Sequence, residues 1–350
     1  MPTTAEEIQQ NLEKIGEVLK SAKRLVVMTH DNPDPDSVSS AVTLAYIVKN
    51  KFKVPAVVRY GGIVGRAENR AMIRVLKLPV KHFTEADFRS GVDLALVDAQ
   101  PKTGNNSFPK NRKPLIIIDH HSLRKTTKAD FIDVRTDYGA TATILTEYLL
   151  ASGLEIPATL ATALSYGISS ETQDLGREAR EADLNAYLSL FPNSNKKLLA
   201  NIEHPRLPRD FFITLNRALH HSRIYKNAIA SSLGDVSNPD FVPYIADFML
   251  RCERMNWSIC LGRYNGRVVI SIRTTNQKGD AGNFLRRLVG KRGTAGGHGM
   301  IAGGQIPCAE LEHDKCMQLE EELIEAFLKK LGYKEAGEMT PLLTPEPIRE

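Results

Sequence analysis

The 350-residue chain predicts an α/β fold of two domains, the first built on a parallel sheet. Apolar runs of strand length at 24–29, 54–59, 92–97 and 115–118 alternate with helical patterns such as Ser37 to Val48 and Glu68 to Leu76. Alternation of that kind builds a parallel sheet covered by helices. Three of the runs also end in residues that ligate metals. Leu25-Val26-Val27-Met28 leads into Thr29-His30-Asp31-Asn32-Pro33-Asp34-Pro35-Asp36, Leu94-Ala95-Leu96-Val97 into Asp98, and Leu115-Ile116-Ile117-Ile118 into Asp119-His120-His121. Open parallel sheets bind ligands beyond the carboxyl ends of their strands, so three strands deliver carboxylates and imidazoles to one edge. The length, with 42% hydrophobic and 25% charged residues, exceeds what one core comfortably holds and asks for two.

Taken in order, Thr4 followed by Glu7 opens a capped amphipathic helix whose Ile8, Leu12, Ile15 and Leu19 fall at four- and three-residue steps and pack on the sheet. After the alternating segment, helical patterns run from Ala140 to Leu150 and from Pro157 to Ile168, the second leading into Ser169-Ser170-Glu171-Thr172-Gln173-Asp174. Phe191-Pro192-Asn193-Ser194-Asn195 is a breaker cluster, which closes the first domain near residue 190. Residues 191–226 read as a helical connector interrupted at His204-Pro205-Arg206-Leu207-Pro208. A second α/β domain occupies 227–335, with strands at 228–233, 257–264 and 267–273 and an amphipathic helix around 316–331. Three prolines and scattered acids make 336–350 a loose tail.

The net charge of +5 is unevenly placed: between Arg251 and Met300 ten Lys or Arg stand against two acids, a surplus of eight that leaves the remainder at −3. A basic region beside a carboxylate-rich site suits a polyanionic substrate. The first 20 residues hold acids and no long apolar run, which reads against a signal peptide. No stretch approaches the roughly 20 apolar residues of a membrane span. Cys252, Cys260, Cys308 and Cys316 show no Cys-x-x-Cys spacing and read as reduced thiols of a cytoplasmic protein. No heptad repeat marks an oligomer interface.

His30, with Asp34 and Asp36 four and six residues on, lies in a turn that Pro33 and Pro35 keep from becoming helix. Side chains at those offsets converge on an ion if the backbone wraps around it. Asp98 is a lone carboxylate after a strand, suited to a metal bridge or a helix N-cap. Asp119-His120-His121 is a stronger signal, because adjacent histidines after a buried strand point in opposite directions. One ligates metal while the other faces substrate, and Asp119 orients an imidazole. Glu171 and Asp174 add two acids after a helix. Oxygen and imidazole ligands without thiolates favour Mn²⁺ or Mg²⁺ over structural zinc. Two such ions about 3.5 to 4 Å apart would activate a water and stabilise both oxygens of an in-line phosphoryl displacement. In the C-terminal half, the segment from Arg292 through Gly296, Gly297 and His298 to Gly304 is too glycine-dense for ordinary helix or strand. Its backbone N–H groups can approach an anion, with His298 donating beside them and Arg273, Arg286 and Arg287 in the same basic region. The Gly-Lys-Ser/Thr ending of a P-loop is missing.

Together, His30-x3-Asp34-x-Asp36, Asp98, Asp119-His120-His121, the acidic motif at 169–174 and Gly296-Gly297-His298 resemble the DHH phosphoesterase superfamily with its DHH-associated C-terminal domain. The match in order and spacing covers nearly all of residues 24–306. Within it the chain looks most like the short two-domain nanoRNase and pAp phosphatase branch, rather than the larger RecJ-type exonucleases. The resemblance implies a catalytic domain over 1–190, a substrate-binding domain over 227–335 and a cleft between them. It implies two manganese ions, with Mg²⁺ as the other fit: His30 and Asp34 hold one, Asp36, His120 and a fourth-motif acid the other, and Asp98 bridges. His121, with Asp119 behind it, would sit near the scissile phosphate. Arg273, Arg292, Gly296, Gly297 and His298 would grip the substrate. Two positions depart from the pattern. Pro35 stands where a small residue usually separates the two aspartates, which stiffens the loop, and Glu171 stands where the fourth motif has aspartate, with Asp174 as the other candidate ligand.

The activity so implied is manganese-dependent hydrolysis of short oligoribonucleotides or linear dinucleotides to mononucleotides, extending to 3'-phosphoadenosine 5'-phosphate (pAp). The alternatives are an inorganic pyrophosphatase or exopolyphosphatase, and a nucleotide-binding regulator whose altered fourth motif has weakened catalysis. The partner is a short RNA or nucleotide rather than a membrane, and a homodimer is compatible with the family.

Overall fold

A computed structural model describes residues 3–176, 179–276, 278–309, 312–332 and 339–343. The chain forms two compact α/β units, Met1–Pro205 and Arg206–Glu350. The division falls inside the stretch read as a connector. Among the described residues no helix is long and apolar enough to cross a membrane.

The first unit runs α1 (Ala5–Leu19), β1 (Leu25–Met28), α2 (Pro35–Asn50), β2 (Ala56–Tyr60), α3 (Ala67–Val75), β3 (Val80–His82), β4 (Asp93–Val97), β5 (Ile116–Asp119), β6 (Phe131–Val134), α4 (Thr141–Ser152), α5 (Ala158–Glu171), α6 (Glu181–Leu190) and α7 (Lys196–Glu203). Its six strands pair in parallel in the order β3-β2-β1-β4-β5-β6. The direction of winding reverses between β1 and β4, and at such a reversal a crevice opens beyond the carboxyl ends of the strands. Burial on both faces explains why β1 and β5 read as unbroken apolar runs. The short edge strands β3 and β6 mix polar residues into three and four positions and gave no such run. At the start of the unit, Thr4 and Glu7 form the capping box, and Ile8, Leu12, Ile15 and Leu19 are the buried stripe of α1.

The first motif departs from its expected turn. Asp34 is the N-cap of α2 and Pro35 its first residue, so Asp36 sits in the first helical turn. Proline at that position forgoes only an N–H that has no helical partner, and its fixed φ suits the helix. Pro35 therefore starts the helix where it was expected to prevent one. Across from it, Gly167 lets α5 approach: a Cβ there would collide with Ser39 Oγ and lie 3.1 Å from the Pro35 carbonyl and 3.3 Å from the Ala142 Cβ. Close packing of α2, α4 and α5 at this glycine fixes where Asp36 stands.

The second unit runs α8 (Arg209–His221), β7 (Arg223–Tyr225), β8 (Ala228–Asp235), α9 (Phe241–Leu250), β9 (Trp257–Tyr264), β10 (Arg267–Thr274), α10 (Ala281–Val289), β11 (Thr294–His298), β12 (Ile301–Pro307), α11 (His313–Lys330) and β13 (Thr340–Pro341). Its sheet, β11-β12-β10-β9-β8-β7-β13, is antiparallel except between β8 and β9. The glycine-rich run is a β-hairpin, contrary to expectation: Gly296 pairs with Gly303 and Ala295 with Gly304. Close approach demands glycine at Gly293, Gly297 and Gly304. A Cβ on Gly293 would enter the Gln305 carbonyl, and one on Gly304 would lie 3.2 Å from Leu285 of α10. Part of the expected loose tail is also ordered: Thr340 and Pro341 pair with β7, and Leu342 N–H donates to the Ser222 carbonyl at 2.8 Å. Residues 336–338 and 344–350 lie outside the described residues.

Replacing Gly167 by alanine should lower the unfolding free energy by about 1–3 kcal/mol, the usual cost of overpacking a core. Urea unfolding followed by circular dichroism checks this; an unchanged midpoint would mean that α5 is not held against α2 by the glycine.

Candidate metal centre

Three loops at the carboxyl edge of the parallel sheet build the site. His30 follows β1, Asp98 follows β4, and Asp119 to His121 close β5. Asp98 adopts φ 56°, in the left-handed region that side-chain-bearing residues seldom occupy, while its N–H still bonds the Ile118 carbonyl at 2.9 Å. Asp34 and Asp36 come in from the N-terminus of α2, and Glu171 ends α5.

Two sets of side chains each offer ligand atoms within 4.8 Å of one another: His30, Asp34 and Asp98, and Asp98, His120 and His121. Asp98 belongs to both. His30 Nε2 lies 3.3 Å from Asp34 Oδ2 and 3.6 Å from Asp98 Oδ2. His120 Nε2 lies 3.6 Å from the other Asp98 oxygen and 3.9 Å from Asp36 Oδ2. The far ring nitrogens face backbone carbonyls, His30 Nδ1 that of Asp31 at 2.9 Å and His120 Nδ1 that of Tyr138 at 3.2 Å. A carbonyl can only accept, so each Nδ1 carries a hydrogen and Nε2 is the lone-pair atom of the neutral ring.

The electrostatics call for a cation. Burial and then the neighbouring carboxylates push Asp36 and Asp98 well above the usual carboxylate range. Burial followed by the charges of Asp34 and Asp36 raises Glu171 to about 8. Burial and the charge of His121 lower His120 to about 4, so its ring is neutral, and its buried Nε2 has no hydrogen-bond partner. Burial acts to lower His30 as well, but the charge and hydrogen bond of Asp34, with Asp98 behind, carry it up to about 10. An orphaned imidazole nitrogen aimed at crowded carboxylates is a donor set that fits a divalent cation.

His121 has a different setting. Its Nδ1 lies 2.9 Å from Asp119 Oδ1, and burial is outweighed by that bond and by Asp98, so the ring is held at about 10. Burial raises Asp119, but its hydrogen bond with His121 dominates and brings it to about 2. The other Asp119 oxygen accepts from Gln100 Nε2 at 2.7 Å. Gln100 also donates to the Ser122 carbonyl and accepts from Arg124 N–H and Thr127 Oγ1. His121 is thereby fixed as an imidazolium whose Nε2 points away from Asp119.

Not every expected residue joins this cluster. Asp174 accepts from Ser169 Oγ at 2.6 Å and raises Tyr166, Tyr187 and Glu203 rather than the site carboxylates. Glu171 is the fourth-motif acid among His30, Asp34, Asp36 and His121. In the second unit Arg273 is buried, ion-paired with Asp247 and bonded to Ser271 Oγ at 2.7 Å and the Ala302 carbonyl at 3.3 Å. It is placed as an internal prop, against the expectation that it grips substrate. Arg292 is exposed and donates to the Leu288 carbonyl at the end of α10. Gly296 and Gly297 are exposed in β11. The side chain of His298 lies outside the described residues.

Sequence reading missed the supports. Thr141 and Ala142 N–H groups donate to the two Asp36 oxygens at 2.9 and 2.6 Å, and Thr141 Oγ1 donates to Asp98 at 2.9 Å. The N-terminus of α4 is thus turned on the site, where its amides favour negative charge. Buried Asp183 accepts from Gly139 N–H at 2.8 Å and from Thr143 Oγ1, which fixes that helix start. The small residues and hydroxyl in Gly139-Ala140-Thr141, opening a helical pattern, were the available signal.

Residues 24–168 match the DHH family, N-terminal domain. An uncharacterized protein of Methanocaldococcus jannaschii is 34% identical over 331 residues, which span 93% of this chain and 67% of that protein. A probable manganese-dependent inorganic pyrophosphatase of Bacillus cereus is 27% identical over 151 residues, 43% of this chain. The chain spans about half, 48%, of that pyrophosphatase. Among solved structures, an exopolyphosphatase-related protein from Bacteroides fragilis superposes with a TM-score of 0.72 at 14% identity, covering 93% of this chain and 98% of its own, a likeness of fold.

Because His30 carries a proton near neutral pH and Asp36, Asp98 and Glu171 are raised, cation uptake should release protons at pH 7. Affinity should weaken as pH falls from 8 to 6, where protons compete for the raised groups. Calorimetric titration with Mn²⁺ in two buffers of different ionisation enthalpy reads the release; identical apparent enthalpies would contradict it.

Proposed function

This chain belongs to the DHH family, and we propose that it is a manganese-dependent phosphohydrolase that cuts short oligoribonucleotides or linear dinucleotides to mononucleotides and also acts on pAp. The observation that carries the reading is the pair of ligand sets sharing Asp98. His30 and Asp34 would hold one ion, Asp36, His120 and Glu171 the other, with Asp98 common to both; His121, which also lies in the second set, is assigned to substrate because its Nδ1 is taken by Asp119. Bound there, divalent cations supply the Lewis acidity that phosphoryl transfer to water uses. Manganese is favoured by the carboxylate and imidazole donors and by the similarity to the probable manganese-dependent pyrophosphatase of Bacillus cereus.

The chain's own groups do the rest. His121, held as an imidazolium by Asp119 and Gln100, donates from Nε2 to a phosphoryl oxygen of the substrate. Its fixed ring costs no reorganisation as negative charge develops there. Thr141 and the α4 amides hold Asp36 and Asp98 in place. The surplus of cations between Arg251 and Met300, buried Arg273 set aside, favours a polyanionic nucleotide. Four free thiols suit a reducing cytoplasm.

Inorganic pyrophosphate is the second reading, favoured by the pyrophosphatase match over 151 residues. Incubation with Mn²⁺ and, in parallel, a 5'-phosphorylated RNA dinucleotide, pAp and pyrophosphate separates the two, with products followed by chromatography. Mononucleotide release is the expected result, and turnover of pyrophosphate alone would replace the proposal. Asp98→Ala and His120→Ala should each lower kcat by at least about a thousandfold, a loss of about 4 kcal/mol in barrier lowering, with the circular dichroism spectrum kept. Wild-type turnover in either variant would remove those roles. Glu171→Gln should lose activity while Glu171→Asp retains part of it.

A further inference from the structure

Residues 99–129 hold seven Lys or Arg against one acid, Asp119, a surplus of six in a chain whose total is +5. The region comprises the loops after β4 and β5, so it begins where the carboxylate cluster begins. Its cations divide by place. Arg112 and Lys113 stand just before β5, at the amino end of the sheet, where Arg112 donates to the Phe88 and Val92 carbonyls and Lys113 pairs with Asp130. Lys102, Arg124 and Lys125 belong to the carboxyl end. All three are exposed, and none has a carboxylate partner among the described residues.

The fold sets Arg124 against the backbone of Lys102, and Lys125 follows Arg124 in the chain. Arg124 Nη1 lies 3.5 Å from the Lys102 carbonyl, and Lys102 adopts φ 64°, a conformation uncommon for lysine. Gln100, 2% exposed, makes the clamp. Its Oε1 accepts from Arg124 N–H at 3.0 Å and Thr127 Oγ1 at 2.8 Å, while its Nε2 donates to Asp119 at 2.7 Å and to the Ser122 carbonyl at 3.2 Å. Donor and acceptor capacity of the amide are both filled. An unbroken path of hydrogen bonds therefore runs from His121 through Asp119 and Gln100 to the backbone of Arg124. The same buried amide thus anchors both His121, through Asp119, and the loop that carries Arg124 and Lys125.

We propose that Lys102, Arg124 and Lys125 form an anion subsite that takes a second phosphate of the substrate, beside the one that meets the carboxylate and imidazole cluster. This rests on the phosphohydrolase reading for the identity of the neighbouring group, and it narrows the substrate to linear chains with at least two phosphates. Gln100 is a positioning residue that sets the distance between the two phosphate sites.

The test is equilibrium binding of a 3'-fluorescein-labelled, 5'-phosphorylated RNA dinucleotide to the full chain, read by anisotropy in EDTA so that nothing turns over. Lys102→Gln/Arg124→Gln/Lys125→Gln should bind at least about tenfold more weakly than wild type, and the slope of log affinity against log salt should shrink by about one. Lys110→Gln/Lys113→Gln controls for bulk charge and should bind like wild type. Equal affinity of the triple variant and wild type, an equal loss in the control, or no binding by wild type would each overturn the subsite. Tripolyphosphate is the second probe: loss confined to RNA assigns the subsite to a nucleotide phosphate, and loss for both assigns it to any phosphate chain. Turnover with Mn²⁺ is read in parallel. A binding loss in the variant, with no turnover even by wild type, would keep the subsite and remove the phosphohydrolase reading.

Discussion

Asp98 shares its two carboxylate oxygens between the imidazoles of His30 and His120, and much of the first unit serves to keep it there. The carboxylate is 3% exposed and stands in the field of Asp34 and Asp119. Burying like charges together costs several kcal/mol in a medium of low dielectric, a large share of a domain's whole stability margin of about 5–15 kcal/mol. Such a cluster persists only where surrounding structure over-determines it. Parallel pairing of β4 between β1 and β5 brings the loop to this spot, the left-handed turn at Asp98 aims it, and Thr141 holds one oxygen from the far side.

The supports differ in kind around the site. Asp36 is met by backbone amides at a helix start, Asp34 is itself a helix N-cap with Ser37 as its partner, and His30 and His120 are oriented by backbone carbonyls. Each of these groups is anchored at least in part by main-chain atoms, which locate it more firmly than a chain of flexible side chains would. Of the three imidazoles, His121 is the one oriented by side chains, through Asp119 and Gln100, and it is also the most exposed, at 45%. Under the proposed reading, a rigid set of candidate ligands with a more accessible imidazole beside it would separate holding ions from meeting substrate.

Much of this was legible in the sequence where one residue's surroundings are local. Full burial turned β1, β4 and β5 into apolar runs, and His30, Asp98 and Asp119 to His121 stand at or just past their ends, so the sheet edge and those five side chains could be read without tertiary knowledge. What escaped depended on partners far along the chain. Thr141 touches Asp98 across 43 positions, and Asp183 meets Gly139 across 44. Pro35 misled because a proline that forbids a helix interior also favours its first position. The glycines of 293–304 misled for a related reason: without side chains they carry no strand pattern, although they pair with one another and lie under α10. Arg273 was expected to grip substrate, and the Asp247 carboxylate that pairs with it instead lies 26 positions away.

The central claim is that Asp98 serves two divalent cations at once. Dialysis of the purified chain against Mn²⁺ at fixed free concentration, followed by elemental analysis, counts them directly. Two manganese ions per chain, with both affinities weakened in Asp98→Asn, is the predicted result. One ion or none in the wild type, or a variant that keeps both at full affinity, would contradict it.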